Sequence, residues 1–498
     1  MKACGFKSAV SLIAFLALNA FAATHYVDLN SANPTPPYTD WSTAATNIQD
    51  AVDVATNGDL VLVTNGIYQS VGRSAPDGSP TSVVVTKAVT LQSVNGAVAT
   101  LIDGISTMRC VYLTNGTSLL GFTLSNGTAG FGGGVYCAST SVLVPNADVL
   151  VANCLLFNNS AGFSGGGAST VTLSNCTFSG NSADGGGGAA YSVLNNCILT
   201  NNSSDIAAAV YSCMVTNCTI IGNSGGYGSI GGTLANCLLS DNNVYDAVSG
   251  GGTLINCTVV GNMNGIVDCV ASNCIVYGND AQGGANYTSE NELGTLVLKY
   301  CCTTPDPGGF NGSIGNITNE PAFVDLANGD FHLQSNSPCI NAGNNSYITN
   351  ATDLDGNPRI VGGTVDIGAY EYQTPSSILS YAWAQQYGLP TDGSADYADS
   401  DGDGMNNWQE WRSGTNPTNS LSLLKMYSLP ATNNLSGITV SWQSVGNVTY
   451  FLQSSTNLAV QPPFSTIQSN IIGQDGVTTY VDSSATNDVP YFYRVGVQ

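Results

Sequence analysis

Basic residues are scarce. The chain has ten lysines and arginines against 33 aspartates and glutamates, and no Lys, Arg or His falls in residues 111–298. Such a surface repels nucleic acid, anionic lipid and, more weakly, polyanionic sugars. Long apolar runs are missing too. None reaches the roughly 20 residues that a membrane span needs. Helical periodicity is absent from the middle of the chain, which excludes a bundle there.

The start reads as a secretory signal. Lys2 and Lys7 precede an apolar stretch at residues 9–18, and Ala20-Phe21-Ala22 forms an A-x-A cleavage site. Removing residues 1–22 takes away two basic residues and no acids, leaving 33 acids against eight basic residues, an excess of 25 negative charges. The mature protein is expected to be exported and monomeric, without a membrane span and without a nucleic-acid partner. Its acidity suits Ca2+ binding.

What is abundant is a phrase. N-C-x-x-x-x-N occurs seven times, on Cys154, Cys176, Cys197, Cys218, Cys237, Cys257 and Cys274, at spacings of 22, 21, 21, 19, 20 and 17. A period near 20 marks a solenoid. β-forming residues follow each Cys, and Gly and Asn clusters separate the phrases. The expected fold is all-β, a right-handed parallel β-helix with one phrase per rung. Equivalent residues of neighbouring rungs then lie about 4.8 Å apart. Cysteine fills a narrow core, and asparagine at a corner bonds the next rung and tolerates the left-handed conformation. An even count of 14 cysteines beyond Cys4 suits disulfides in an exported chain. Stacking in register gives poor bridge geometry, which favours free thiols. Cys301-Cys302 stays open.

Residues 43–68 supply a cap. Ile48, Ala51, Val52 and Ala55 follow an amphipathic helical spacing, and Leu60 to Val63 begins the first rung. Here the chain resembles the right-handed β-helix (pectin-lyase-like) superfamily. The G-G-A steps at 166–168 and 187–189, with FSGN at 178–181, are similar to repeats of chlamydial polymorphic outer-membrane proteins. FHLQSNSPCINAG and DLDGNPRIVGGTVDIGAYEY, within 331–372, resemble the C-terminal signature of bacterial choice-of-anchor Q β-helix proteins. That resemblance implies that the solenoid closes there, with Arg359 paired to Asp355, Asp366 or Glu371.

Residues 399–410, DSDGDGMNNWQE, fit the calcium-loop pattern D-x-[DN]-x-[DN]-G-x5-E. Asp399, Asp401 and Asp403 take positions 1, 3 and 5. Met405 offers its carbonyl, Asn407 the ninth position and Glu410 a bidentate carboxylate. The preceding helix ends about ten residues earlier, so the segment is closer in look to dockerin-like or thrombospondin type 3 loops than to a paired EF-hand. A structural Ca2+ is expected. Residues 421–498 alternate apolar and polar residues and read as a small β-sandwich, similar to fibronectin-type modules, with Trp442 in its core. The expected domains are a signal at 1–22, a capped β-helix at 23–373, a helix with a calcium loop at 374–420, and a β-sandwich at 421–498.

Function is less legible. A pectate-lyase-like reaction needs a cationic base, which residues 111–298 lack. An adjacent Asp pair and an R-x-K element, typical of polygalacturonase-like sites, occur nowhere. Asp148, Asp184, Asp205, Asp241, Asp246, Asp268 and Asp280 lie in the rungs; two of them could meet as an acid pair, although turn roles are the simpler expectation. His25 and His332 read as structural. Tyr191, Tyr211, Tyr227, Tyr245 and Tyr277 recur roughly once per rung, either as turn packing or as a ladder for stacking sugar rings. The expected partner is an extracellular polysaccharide or cell-surface glycan, in binding or adhesion. A polysaccharide lyase or glycoside hydrolase is the alternative.

Overall fold

The computed structural model describes residues 22–138, 148–279, 285–289, 296–308, 312–427, 437–485 and 489–498. Residues 1–21 of the signal expected at 1–22, and Asp280, lie outside the described residues. The chain winds into three long sheets. The first has 12 strands, from Thr24–Val27 to Val297–Lys299; the second has 11, from Gly66–Tyr68 to Cys302–Thr303; the third has 15 along its outer wall. Apart from the terminal pair Arg73–Ser74 and Pro80–Val84, their strands pair in parallel. This is a right-handed parallel β-helix, the hand that parallel crossovers take. No helix of the described residues is long and apolar enough to cross a membrane.

The phrase explains the winding. In the first sheet Val151, Leu173, Leu194, Val215, Leu234 and Leu254 stand in register and are buried. In the second, Leu156, Phe178, Leu199, Ile220, Leu239 and Val259 do the same. The seven phrase cysteines form a buried column between them, and Cys301 extends it. Each thiol donates to the carbonyl two residues upstream, as Cys176 Sγ does to Ser174 O at 3.4 Å and Cys218 Sγ to Thr216 O at 3.1 Å. All 14 described cysteines are free and buried, Cys302 facing a second cluster outside the sheets.

The sequence reading gives one corner asparagine two duties. The structure separates them. The Asn before each Cys (153, 175, 196, 217, 236, 256 and 273) turns the first corner at a φ of +50° to +54°. The Asn that ends the phrase forms a buried ladder. Asn181 Nδ2 donates to Asn202 Oδ1 at 2.9 Å and to Leu156 O at 2.9 Å, while its backbone N–H reaches the same Asn202 oxygen at 3.1 Å. This bonding repeats from Asn159 to Asn279. Each amide thereby satisfies both donors and accepts twice, as a dry core demands. The residue just before each ladder Asn turns a second corner, also at positive φ, and is Asn158, Gly180, Asn201, Gly222, Asp241, Gly261 or Gly278. Only residue types that tolerate that conformation stand there.

Both ends differ from expectation. The first rung begins one strand before Leu60–Val63, because Thr24–Val27 pairs with it in parallel. The cap helix is Ile48–Val54, with Asn47 as N-cap, and Gln49 pairs with both backbone groups of Val84 in place of a strand. At the other end, residues 323–372 do not plug the last rung. They fold back along the outside of the second sheet, where Phe323, Phe331, Leu333, Ile340 and Ile367 pack on Leu238, Val260 and Ile275. Corner asparagines hold this strap: Asn273 Nδ2 donates to Asn344 O at 3.0 Å, and Asn236 Nδ2 to Thr352 O at 2.5 Å. Arg359 is buried but forms no ion pair among the described residues. Its guanidinium donates to the carbonyls of Ala369, Gly368 and Asp366. The carboxylates are already engaged: Glu371 accepts from the N–H groups of Val361 and Asp366, Asp366 from those of Asn341 and Tyr372, and Asp355 contacts His332. Beyond the strap, two small antiparallel sheets enclose Trp442, which is fully buried.

The two asparagine roles make separable predictions. Asn202→Ala strips two bonds from Asn181 and leaves Asn223 Oδ1 and Phe178 O short of a donor. It is expected to cost about 3 kcal/mol. Asn201→Ala costs about 1 kcal/mol for its left-handed φ, whereas Asn201→Gly is close to neutral. Guanidinium denaturation midpoints of the three variants check this order.

Candidate functional site

A serine follows four successive ladder asparagines: Ser160, Ser182, Ser203 and Ser224. Strand register pairs each with the next, giving a hydroxyl column about 14 Å long at the ~4.8 Å strand spacing. With Asp184 and Asp205, these serines line an open groove of about 360 Å³ on the third sheet. Irregular register between Ala161 and Ser164, and between Ser204 and Ala207, breaks the alternation there. Such bulges re-aim side chains. Phe163 is consequently 63% exposed. Its ring lies 5.3 Å from Phe131, which stacks in turn on Tyr136. Three residues past Ser224 on its strand, Tyr227 meets Tyr245 edge to face at 6.1 Å, with Tyr245 65% exposed. The groove is lined by the four serines and the two carboxylates, while Phe163 lies on the strand of Ser160 and Tyr227 on that of Ser224. No base from residues 111–298 offsets its charge. Arg109, just outside that stretch, is buried, paired with Asp77 at 2.7 Å and covered by Tyr136.

The five tyrosines singled out in the sequence do not share this face. Tyr227 lies three residues past Ser224 on its strand and meets Tyr245, beyond the residues that line the groove. Tyr191 turns a third corner at a φ of +50°, and Tyr211 packs on it at 5.4 Å. Tyr277 is covered by the strap. Among the rung aspartates, Asp184 and Asp205 come together, while Asp241 and Asp268 turn corners at positive φ. Phe131, Phe163 and the serine column were missed. The recurring Asn-Ser dipeptide was their signal.

The 399–410 loop gathers oxygens. Asp399, Asp401 and Asp403 each place a carboxylate oxygen within 4.8 Å of the others. Asp401 Oδ2, Asp403 Oδ2, Asn407 Oδ1 and Glu410 Oε2 are buried without hydrogen-bond partners. Asp399 accepts the N–H groups of Gly402, Asp403 and Gly404, which curls the loop, and Met405 N–H donates to Asp403 Oδ1 at 2.8 Å. Asn407 and Glu410 sit fully buried on the helix Asn407–Ser413, capped by Asn406. Burial, with the charges of Asp401 and Asp403, pushes the Glu410 carboxyl up to about 7. Unpartnered hard oxygens that repel one another fit a hard divalent cation. The helix Tyr381–Gln386 ends well before Asp399, so the flanking helices are not those of a paired EF-hand.

His332 was read as structural, and its contacts agree. Nδ1 lies 2.5 Å from Asp330 and Nε2 2.7 Å from Asp355, with the ring 4.2 Å from Tyr370. Asp355 and Tyr370 line a second groove beside corner residues Asn175, Asn196 and Asn217. With both nitrogens held by carboxylates, the imidazole has no free position for a substrate proton.

No protein-family model and no curated protein matches the chain. Among solved structures it is similar to pectate lyase Pel9A, at 15% identity and a TM-score of 0.46, covering 70% of this chain and 96% of that one. It is also similar to XylC in complex with xylose, at 9% identity and a TM-score of 0.39, covering 70% and 98%. A third is the A-module of the mannuronan C-5 epimerase AlgE4 of Azotobacter vinelandii, at 13% identity and a TM-score of 0.33, covering 56% and 87%.

The His332 clamp has a defined pH signature. Burial works to lower its pKa, but the hydrogen bonds from Asp355 and Asp330 win and raise it above 6.5. The stabilisation is thus fully present below pH 6.5 and lost as pH rises through the folded-state value. Thermal melts of the native protein and of His332→Gln should differ most below that pH and converge in alkali.

Proposed function

We propose that this chain is an exported protein that binds an extracellular polysaccharide along the Ser160–Ser224 groove. The observation that carries the reading is a groove of hydroxyls and two carboxylates on stacked rungs, with Phe163 and Tyr227 on the strands that carry its first and last serines. Rings stack on the apolar faces of sugars, while serines and carboxylates bond hydroxyls. Charge narrows the class. An anionic groove with no base nearby disfavours polyuronates and favours neutral or amino-sugar polymers. Ca2+ in the 399–410 loop, held by Asp399, Asp401, Asp403, Asn407 and Glu410, joins the solenoid's strap to the C-terminal module. It serves structure, not catalysis, because the groove is built from other rungs.

A hydrolase is the second reading, favoured by one fact: Asp184 and Asp205 occupy adjacent rungs of one groove. An acid pair across a bound sugar is the minimum for glycoside hydrolysis.

A glycan array spanning neutral, amino and uronic polymers tests the binding, with a reducing-end assay alongside. Phe163→Ala is expected to weaken binding about tenfold, roughly 1.4 kcal/mol. Asp184→Asn should weaken an amino-sugar ligand more than a neutral one. Release of reducing ends that Asp184→Asn or Asp205→Asn abolishes would establish the hydrolase. Binding confined to polyuronates would reject the groove reading. Independently, Ca2+ at a hundredfold excess over its Kd should stabilise the C-terminal region by about 2.7 kcal/mol, and Glu410→Gln should remove most of that gain.

A further inference from the structure

The first strand, Thr24–Val27, begins one residue past Ala23, and Ala23 directly follows the Ala20-Phe21-Ala22 motif. Ala23 is held on both sides. Its carbonyl accepts from Leu60 N at 2.8 Å, and its nitrogen donates to Asp59 Oδ1 at 2.7 Å. Asp59 is only 5% exposed. Its other oxygen accepts from Thr56 N at 2.6 Å and Thr56 Oγ1 at 2.9 Å, and lies 3.2 Å from His25 Nε2. Burial works to raise the Asp59 pKa, yet the bonds from Thr56, Ala23 and His25 bring it down to about 2. The group is therefore a carboxylate, sequestered at the solenoid's first rung, with a backbone nitrogen already at ion-pair distance.

We propose that cleavage between Ala22 and Ala23 is a maturation step that places the new α-ammonium of Ala23 on Asp59, locking the first rung with an ion pair. The inference rests on the export reading given above. A leader peptidase of the export machinery supplies the catalysis and water the co-reactant. The Ala22–Ala23 amide bond breaks, the water oxygen stays on Ala22 as a carboxylate, and the nitrogen leaves as –NH3+ on Ala23. No movement of Ala23 is needed, because the nitrogen already sits where the cation is wanted. The position of the cut matters. Cleavage after Phe21 would put the charge on Ala22, which is exposed. Cleavage after Ala23 would remove the donor. A buried carboxylate costs stability unless a partner compensates its charge, and a neutral amide does so less well than an ammonium. The titratable side chains in this hydrogen-bonded group are Asp59 and His25.

The full chain, expressed in a secreting bacterial host, is expected to carry Ala23 as its first residue by N-terminal sequencing and intact mass. In that processed protein the α-amine should react with acetic anhydride about tenfold more slowly than in Asp59→Asn, the equivalent of one pKa unit. Should Asp59→Asn fail to fold, a processed protein carrying one extra alanine before Ala23 provides the second comparison, and it should melt at a lower temperature. A chain retained with its leader intact overturns both this proposal and the export reading. A first residue other than Ala23 in an exported protein overturns the proposal alone. So does an Ala23 amine that reacts as fast as in Asp59→Asn and a melting temperature indifferent to the extra alanine.

Discussion

The structure depends on a hydrogen bond between side-chain amides one rung apart. In the ladder from Asn159 to Asn279, each oxygen accepts from both the backbone and the side chain of the preceding rung, and each nitrogen donates to an oxygen and a carbonyl. Few side chains could replace it. A serine has one donor, an aspartate none, and a glutamine would have to fold an extra methylene into the same dry space. Because the acceptor must stand one strand spacing from the donor, the ladder fixes register between rungs. Fixed register then requires the chain to turn at the same places on every rung, at positive φ. The corner residues follow from the ladder, and the apolar columns of Leu, Val and Cys follow from the corners.

A core specified this tightly leaves variation to the outside. Rung lengths differ where the third sheet begins, and those differences appear as bulges that push Phe163 outward. The outer face of the second sheet over the later rungs is taken by the strap, which uses the same corner asparagines as anchors. The Ser160–Ser224 face is thus an open surface that retains the axial repeat, and a polymer with its own repeat can follow it over several rungs. The same logic separates this groove from the one beside Tyr370, where the strap interrupts the axial run and His332 is fully occupied.

How much of this was legible depends on whether a residue obeys the period. The Cys and Asn columns recur in phase, so the winding could be read from spacing alone. The division of labour between two asparagines could not, because both tolerate corners and both form hydrogen bonds; only coordinates distinguish Asn201 from Asn202. The tyrosines mislead because they recur at varying offsets from the cysteines, and a one-residue offset moves a side chain to another face. Tyr211 and Tyr227 stand in neighbouring repeats, yet one packs on a corner tyrosine and the other on Tyr245. Phe163 was invisible as a surface residue because its exposure comes from a bulge. Arg359 illustrates a different gap: nearby acids in sequence suggested ion pairs, but backbone N–H groups had already claimed the carboxylates.

Charge is arranged by the same geometry. The core columns are uncharged, and buried ionic groups stand elsewhere: Asp59 and Arg109 near the first rungs, Asp246 on a middle rung, Arg359, Asp366 and Glu371 in the strap, and Glu410 beyond it. A solenoid loses structure most easily from its ends, where a rung has a neighbour on one side only. The contacts of Asp59 with Ala23, Thr56 and His25 stand at such a position, on the first rung. The columns of the middle rungs are built from amides, aliphatics and buried thiols. Changes of pH can therefore alter how firmly the first rung is held while the amide ladder keeps the spacing of the groove.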